Sequence, residues 1–185
     1  MLKNILIKTA EIINRDDLIS ELNSETITPS LQNDIMRLIS YYNYTIEKLC
    51  ENYFPFYYTQ TIHSDKNRRI NFLNFKYHPL KTISVTKEGK PKFYSENFKY
   101  LTTTEACTEY EITYTYLPEP LNNLIDKINI PHGISTKMIC YGIASEFLAC
   151  KNNMEKSEYW NNKFMLEIFK SKTSRDRKLK PTFYL

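Results

Sequence analysis

The sequence predicts an α+β fold: a mainly helical core, in which a long helix of the N-terminal half packs on C-terminal helices, with an inserted small antiparallel β-sheet and an extended C-terminal tail. Three observations carry that reading. Apolar residues recur at steps of three and four between Leu31 and Tyr53. The period drops to two, with β-branched and aromatic residues, from Phe56 to Pro118. Helical spacing then returns between Ile134 and Ile168.

Taken in order, Leu2, Ile5 and Leu6, then Leu18, Ile19 and Leu22, mark helical segments, with Asp16 placed to cap a short helix starting near Asp17. The polar stretch NSETITPS follows, and Pro29 lies where a first helical turn tolerates it. Leu31, Ile35, Leu38, Ile39, Tyr42, Ile46, Leu49, Cys50 and Tyr53 then line one side of a helix of about six turns. Pro55 biases Phe54 out of the helical region and ends it. FYYTQTIH, RRINFLNF, KTISVTKE, FKYLTTT and YEITYTYL read as strands, and SDKN, KYHP, EGKP and EACT as the turns between them, so four or five short antiparallel strands are expected. In the last of these Tyr110, Ile112, Tyr114 and Tyr116 share one face. The prolines of LPEPL close the ladder. Residues 121–129 are expected to make a helical turn or two, and Pro131 opens the last helical region. Between Ile134 and Cys150 the residues are apolar almost all round, so this helix is central. Asn152 and Asn153 break it, Asn153 caps a continuation, and Trp160, Phe164 and Ile168 give that continuation its stripe; after Lys170 the pattern dissolves.

This order reads as a single domain over residues 1–170, carrying a β-rich insertion at about 56–118, and a tail over residues 171–185. The formal charge of +4 is uneven: the stretch from Lys170 to Leu185 carries +5 and the remainder −1. A neutral body with a basic tail assigns the last sixteen residues a different job. No apolar run reaches the eighteen or so residues of a membrane span, and the opening residues are too short and polar in their core for a signal peptide, so a reducing cytosol is expected. The scattered Cys50, Cys107, Cys140 and Cys150 are read as small buried hydrophobes.

Catalytic and metal-binding patterns are absent, and no enzyme, cofactor or metal is expected. The three glycines, Gly89, Gly133 and Gly142, stand alone, which excludes phosphate-cradling loops. Zinc spacings are missing, and Cys140 and Cys150 point roughly 80° apart on a helix. His63, His78 and His132 sit in or near turns, with no nucleophile signature around any cysteine. Glu146 is the one acid on an otherwise apolar helix. It is read as structural, either partnering a buried Lys or Arg or facing a neighbouring subunit.

Nucleic-acid association is the alternative function: the basic tail, Arg68, Arg69 and the tyrosine-rich sheet supply phosphate contacts and stacking platforms. Against it, the neutral body is the wrong footprint for a dedicated binder. The tail itself, SKTSRDRKLKPTFYL, combines cations with three large apolar residues at its tip, a composition suited to docking on a partner rather than to solvation alone.

A helix ending at an aromatic-proline pair, a β-rich insertion closing with YTYLPEPL, the helix MICYGIASEFLACKNN with its Glu146, and EYWNNKFMLEIFK before a basic tail together resemble the head-to-tail connector (adaptor or neck) proteins of tailed bacteriophages. The resemblance covers the organisation of the chain from about Ile27 onward. It implies a virion neck protein assembled in the host cytoplasm: a homo-oligomeric ring, usually twelve-fold, bound to the portal of the capsid and to other neck or tail proteins. The genomic DNA would pass through its lumen without sequence-specific binding, and no membrane would be involved. Carried onto this chain, Arg175, Arg177, Lys178, Lys180, Phe183, Tyr184 and Leu185 dock on the portal or a neighbouring subunit, and Tyr114, Tyr116, Glu146 and Trp160 are candidates for subunit packing. The β-rich insertion is larger than a minimal member needs, which suggests an added contact.

Overall fold

A computed structural model describes residues 1–24 and 26–176, with side chains described through Thr173. Among them the order is α1 (Leu2–Ile12), α2 (Asp16–Asn23), α3 (Pro29–Asn52), β1 (Phe56–His63), β2 (Arg69–Asn71), β3 (Pro79–Lys87), β4 (Lys90–Pro91), β5 (Ser95–Glu96), β6 (Tyr100–Thr102), β7 (Glu109–Tyr116), α4 (Thr136–Cys150) and α5 (Met154–Asp176). The fold is α+β. There are two compact units: a helical unit of Met1–Leu49 with the described residues from Glu119 onward, and a β unit of Cys50–Pro118. The expected insertion at 56–118 thus begins six residues earlier, and it is a unit because it has a core of its own.

In the helical unit α4 is covered on most sides, as its all-round apolar sequence requires: Met138, Ile139, Ile143, Ala144 and Phe147 are buried. Ser135 caps it, its hydroxyl accepting from the Met138 N–H at 3.1 Å. Two features draw neighbouring helices against it. At Gly142 an added β-carbon would lie 2.5 Å from Thr45 Cγ2 of α3 and 3.2 Å from Phe164 Cε2 of α5, so the missing side chain sets the approach of both helices. On the α5 side, the Ser145 hydroxyl donates to the Ser157 carbonyl at 3.0 Å and the Ser157 hydroxyl returns a bond to the Ser145 carbonyl at 2.9 Å, all buried. Changing Ser157 to alanine is expected to cost about 1 kcal/mol in a denaturant titration, since the Ser145 carbonyl loses the Ser157 hydroxyl as a donor in a dry site.

Asn152 takes a left-handed conformation (φ 57°) after α4, and Asn153 caps α5, with its carbonyl accepting from the Ser157 N–H at 3.0 Å. The helix buries Phe164 and Ile168, as its stripe predicts, but it runs on to Asp176, taking in the first six residues of the expected extended tail. Ser171 is bonded there, its hydroxyl donating to the Gly133 carbonyl at 2.6 Å. Two other expectations change. Asp16 lies inside the first turn of α2 while Arg15 takes the cap position, without a side-chain cap bond. Residues 121–129 form no helix: the Asp126 carboxylate accepts from the Asn122 and Asn123 N–H groups at 3.0 and 2.9 Å, holding a turn instead.

Arg15 is busy elsewhere. It grips Asp17 in a two-pronged pair at 2.7 Å and reaches Asp34 at 3.1 Å, and Lys151 meets the other Asp34 oxygen at 2.9 Å, tying α2, α3 and the end of α4 together. Burial pushes the Asp34 carboxyl up, but the hydrogen bonds from Lys151 and Arg15 outweigh it and hold the carboxyl below its ordinary range. A lowered carboxylate pKa adds stability that is present above about pH 4 and lost as the pH falls through the folded value. Thermal melts of Asp34→Asn between pH 2 and 6 are therefore expected to show a shallower acid decline than the parent, with about 1–2 kcal/mol lost at neutral pH.

The β unit contains seven strands among the described residues, in two antiparallel sheets ordered β1-β7-β3-β4 and β2-β6-β5. Five runs were expected as strands. RRINFLNF gives only β2 followed by a 3-10 turn at Phe72–Asn74, and β4 and β5 are two-residue pairings too short to show a period. The two sheets share one core, with Ile62, Val85, Tyr110, Ile112 and Tyr114 from the larger and Ile70 and Leu101 from the smaller. The turn in EGKP is a two-residue hairpin whose Glu88 and Gly89 have φ of 51° and 73°, the pair of positive values a tight hairpin of this kind needs.

Candidate interaction surfaces

The exposed half of α5 is the surface that the sequence stripe does not reveal. Phe164 and Ile168 are buried at 1% and 3%, yet Tyr159, Leu166 and Phe169 are exposed at 53%, 46% and 66%. At about 100° per residue, Leu166 lies roughly 160° round the helix from Phe164. This helix therefore carries two apolar stripes, one spent on its own unit and one facing solvent. The second, at Tyr159, Leu166 and Phe169, interleaves with the first, so that along the sequence the two blur into a helix that is apolar in patches.

Of the four expected packing residues, two remain at the surface. Trp160 is half-buried, stacked on Tyr141 with centroids 5.2 Å apart and edge-on to Tyr159 at 4.9 Å, so an aromatic trio joins α4 to the outer face of α5. Glu146 is also partly exposed and has no ion pair among the described residues. It lies near Tyr41, whose phenol is pushed up to about 12 by burial and by Cys150.

Tyr114 and Tyr116 are corrected: at 0% and 9% exposure they belong to the core of the β unit and are not free to pack on another subunit. Tyr116 stacks on Tyr77 at 4.2 Å and on Phe56 at 5.4 Å, and Tyr114 meets Phe75 edge-on at 4.9 Å. A strand face of alternating tyrosines is buried here by the aromatic rings of β1 and of the segment after β2 that pack across it. Of the docking residues, Arg175 lies on the backbone of α5 and its side chain is outside the described residues, as are Arg177, Lys178, Lys180, Phe183, Tyr184 and Leu185 altogether.

The cysteines divide. Burial pushes the Cys50 thiol up to about 12 and also raises Cys140, so both stay protonated and poorly nucleophilic. Cys107 and Cys150 are exposed, contrary to expectation. Cys107 occupies a left-handed turn position (φ 50°), and the roughly 80° between Cys140 and Cys150 carries the latter off the covered side of α4. His63 is exposed at the end of β1, 3.8 Å from Glu109. Among the described residues there is no group of three or more His, Cys, Asp and Glu side chains able to hold a metal ion, and no helix long and apolar enough to cross a membrane.

The β unit has an exposed apolar edge of its own. Past the Asn71–Tyr100 pair, Phe72 N–H donates to the Lys99 carbonyl at 3.1 Å, so Leu73 and Phe98, exposed at 89% and 84%, leave the same end of the smaller sheet. Asn71 and Asn97 fix the two tips, their side-chain oxygens accepting from the Leu73 and Lys99 N–H groups at 2.9 Å each. On that sheet the Arg69 guanidinium lies 4.5 Å from the Tyr100 ring centroid. No protein-family model matches this chain, and no curated protein matches it.

Proposed function

We propose that this chain is a structural virion protein, a head-to-tail connector that forms a homo-oligomeric ring between the capsid portal and the tail and surrounds the genome passage. The observation that supports this best is α5. A helix that buries one apolar stripe in its own unit, presents a second to solvent and leads into a basic, aromatic-tipped segment is suited to holding another protein. On this reading the portal and other neck or tail proteins are its partners, and DNA passes without base contacts. Trp160 and Glu146 lie where a neighbouring copy has access. Mass measurement and negative-stain imaging of the protein, alone and with a portal, test it. Rings that join the portal are expected, and a strict monomer that never binds the portal overturns the proposal.

The tail gives a second test. Because α5 is helical to Asp176 and Ser171 is bonded to Gly133, deleting residues 177–185 is expected to leave the melting temperature unchanged while incorporation into particles falls. Truncation at Ser171 is expected to lower stability as well. A nucleic-acid-associated module is the second reading, favoured by Arg69 over Tyr100 and by Lys76 lying 5.0 and 5.3 Å from the ring centroids of Tyr58 and Tyr77. It would replace the first if the isolated protein binds DNA with a steep salt dependence that vanishes with the tail.

A further inference from the structure

The outer face of α5 has a register as well as an apolar stripe. Tyr159, Asn162, Leu166, Phe169 and Thr173 follow one another at steps of three, four, three and four, the spacing of a helix–helix seam. Along one flank of that seam run Lys156, Lys163 and Lys170, seven residues and so about 10 Å apart. Among the described residues none of the three is bound to a buried carboxylate. Lys163 lies over the Tyr159 ring at 5.4 Å, and Lys170 pairs with Glu167 at 2.9 Å, a surface contact that is readily exchanged.

We propose that this face docks an amphipathic helix from another protein, one whose apolar seam is flanked by carboxylates at seven-residue spacing. The proposal deepens the partner-facing role given to α5 above, and it depends on the seam rather than on ring formation. Charge complementarity selects the occupant. Two copies of α5 set antiparallel bring their lysine rows together, and set parallel they gain only the symmetry-related Glu158–Lys163 contacts while Lys170 faces Met165, so a second copy of this helix fits poorly. An acidic helix meets a cation at each heptad while its apolar side chains cover Leu166 and Phe169. The half-exposed Tyr159 and Trp160 rings, edge-on to each other, lie at the N-terminal end of the seam and offer it an aromatic anchor.

The test uses the full chain and two synthetic three-heptad peptides with leucine at the seam positions, one carrying glutamate and the other lysine at both flanking positions. Fluorescence anisotropy is expected to show binding of the acidic peptide and at least about tenfold weaker binding of the basic one. Leu166→Asp is expected to abolish binding without changing the circular-dichroism melt, because the side chain is exposed. Lys156→Glu combined with Lys163→Glu is expected to reverse the preference. Equal affinity for the two peptides, or no binding of either, overturns the inference. So does concentration-dependent self-association in sedimentation that Leu166→Asp removes, because a second copy is then the occupant. A protein that forms rings and joins the portal yet ignores the acidic peptide loses this inference and keeps the connector reading; one that binds the peptide but stays monomeric does the opposite.

Discussion

Tyr114→Ala is expected to cost the β unit about 3–5 kcal/mol, the range for emptying an aromatic site in a core. The ring is fully buried in the core shared by the two sheets, against Phe75 at 4.9 Å and Tyr58 at 6.0 Å. Its hydroxyl donates to Gln60 Oε1 at 2.8 Å and accepts from the Tyr77 N–H at 3.3 Å. Gln60 in turn takes the Lys76 N–H at 2.9 Å and donates to the Asn74 carbonyl at 3.3 Å, so the phenol anchors a network that closes the loop 74–77 over β1. Tyr114→Phe keeps the ring and removes the hydroxyl, for an expected loss of about 1–2 kcal/mol. Near-UV circular dichroism during urea unfolding reads both variants. A cost under about 1 kcal/mol for the alanine variant would mean that the two sheets do not depend on this ring.

Gly142→Ala is the second large effect, and its sign is informative. In a free helix the change is favourable by about 1 kcal/mol, because glycine is a poor helix former. Here the new β-carbon meets Thr45 Cγ2 at 2.5 Å, Thr45 Oγ1 at 3.0 Å and Phe164 Cε2 at 3.2 Å. Thr45 is β-branched and buried on α3, with little room to turn away, so α3 or α5 must back off. The net expectation is a loss of about 1–3 kcal/mol, as for overpacking elsewhere. Thr45→Ser removes the nearer carbon, and the double variant is expected to recover at least about 1 kcal/mol of the loss in a double-mutant cycle. Additive losses would show that the helices are not set by this contact. The Thr45 hydroxyl has no hydrogen-bond partner among the described residues, so the serine exchange sacrifices no bond.

These two residues mark what was legible in the sequence. Tyr114 could be placed on the correct face of β7 because strand periodicity fixes sidedness over a few residues. Its period did not say what would cover that face, and expecting another subunit there was wrong because Phe75 and Tyr77, in the segment after β2, supply the cover. Gly142 was visible only as a glycine inside an apolar helix. Its role depends on Thr45 and Phe164, far away in the chain. The candidate surface followed the same pattern: Trp160, Phe164 and Ile168 announced the buried stripe of α5, while the outer one at Tyr159, Leu166 and Phe169 stood out only once burial had been assigned.

The sequence by itself determined the α+β class, the long α3, the central α4, the Asn153 cap and the separation of a neutral body from a basic tail. Each rests on residues within a turn or two of one another, where spacing and chemistry suffice. Only the tertiary structure decided that the β region is a unit with its own core, that Asp34 is shared by Arg15 and Lys151, and that α5 has a second apolar face left uncovered. Those are outcomes of which distant surfaces meet, and burial is settled by the partner a face finds rather than by the face alone.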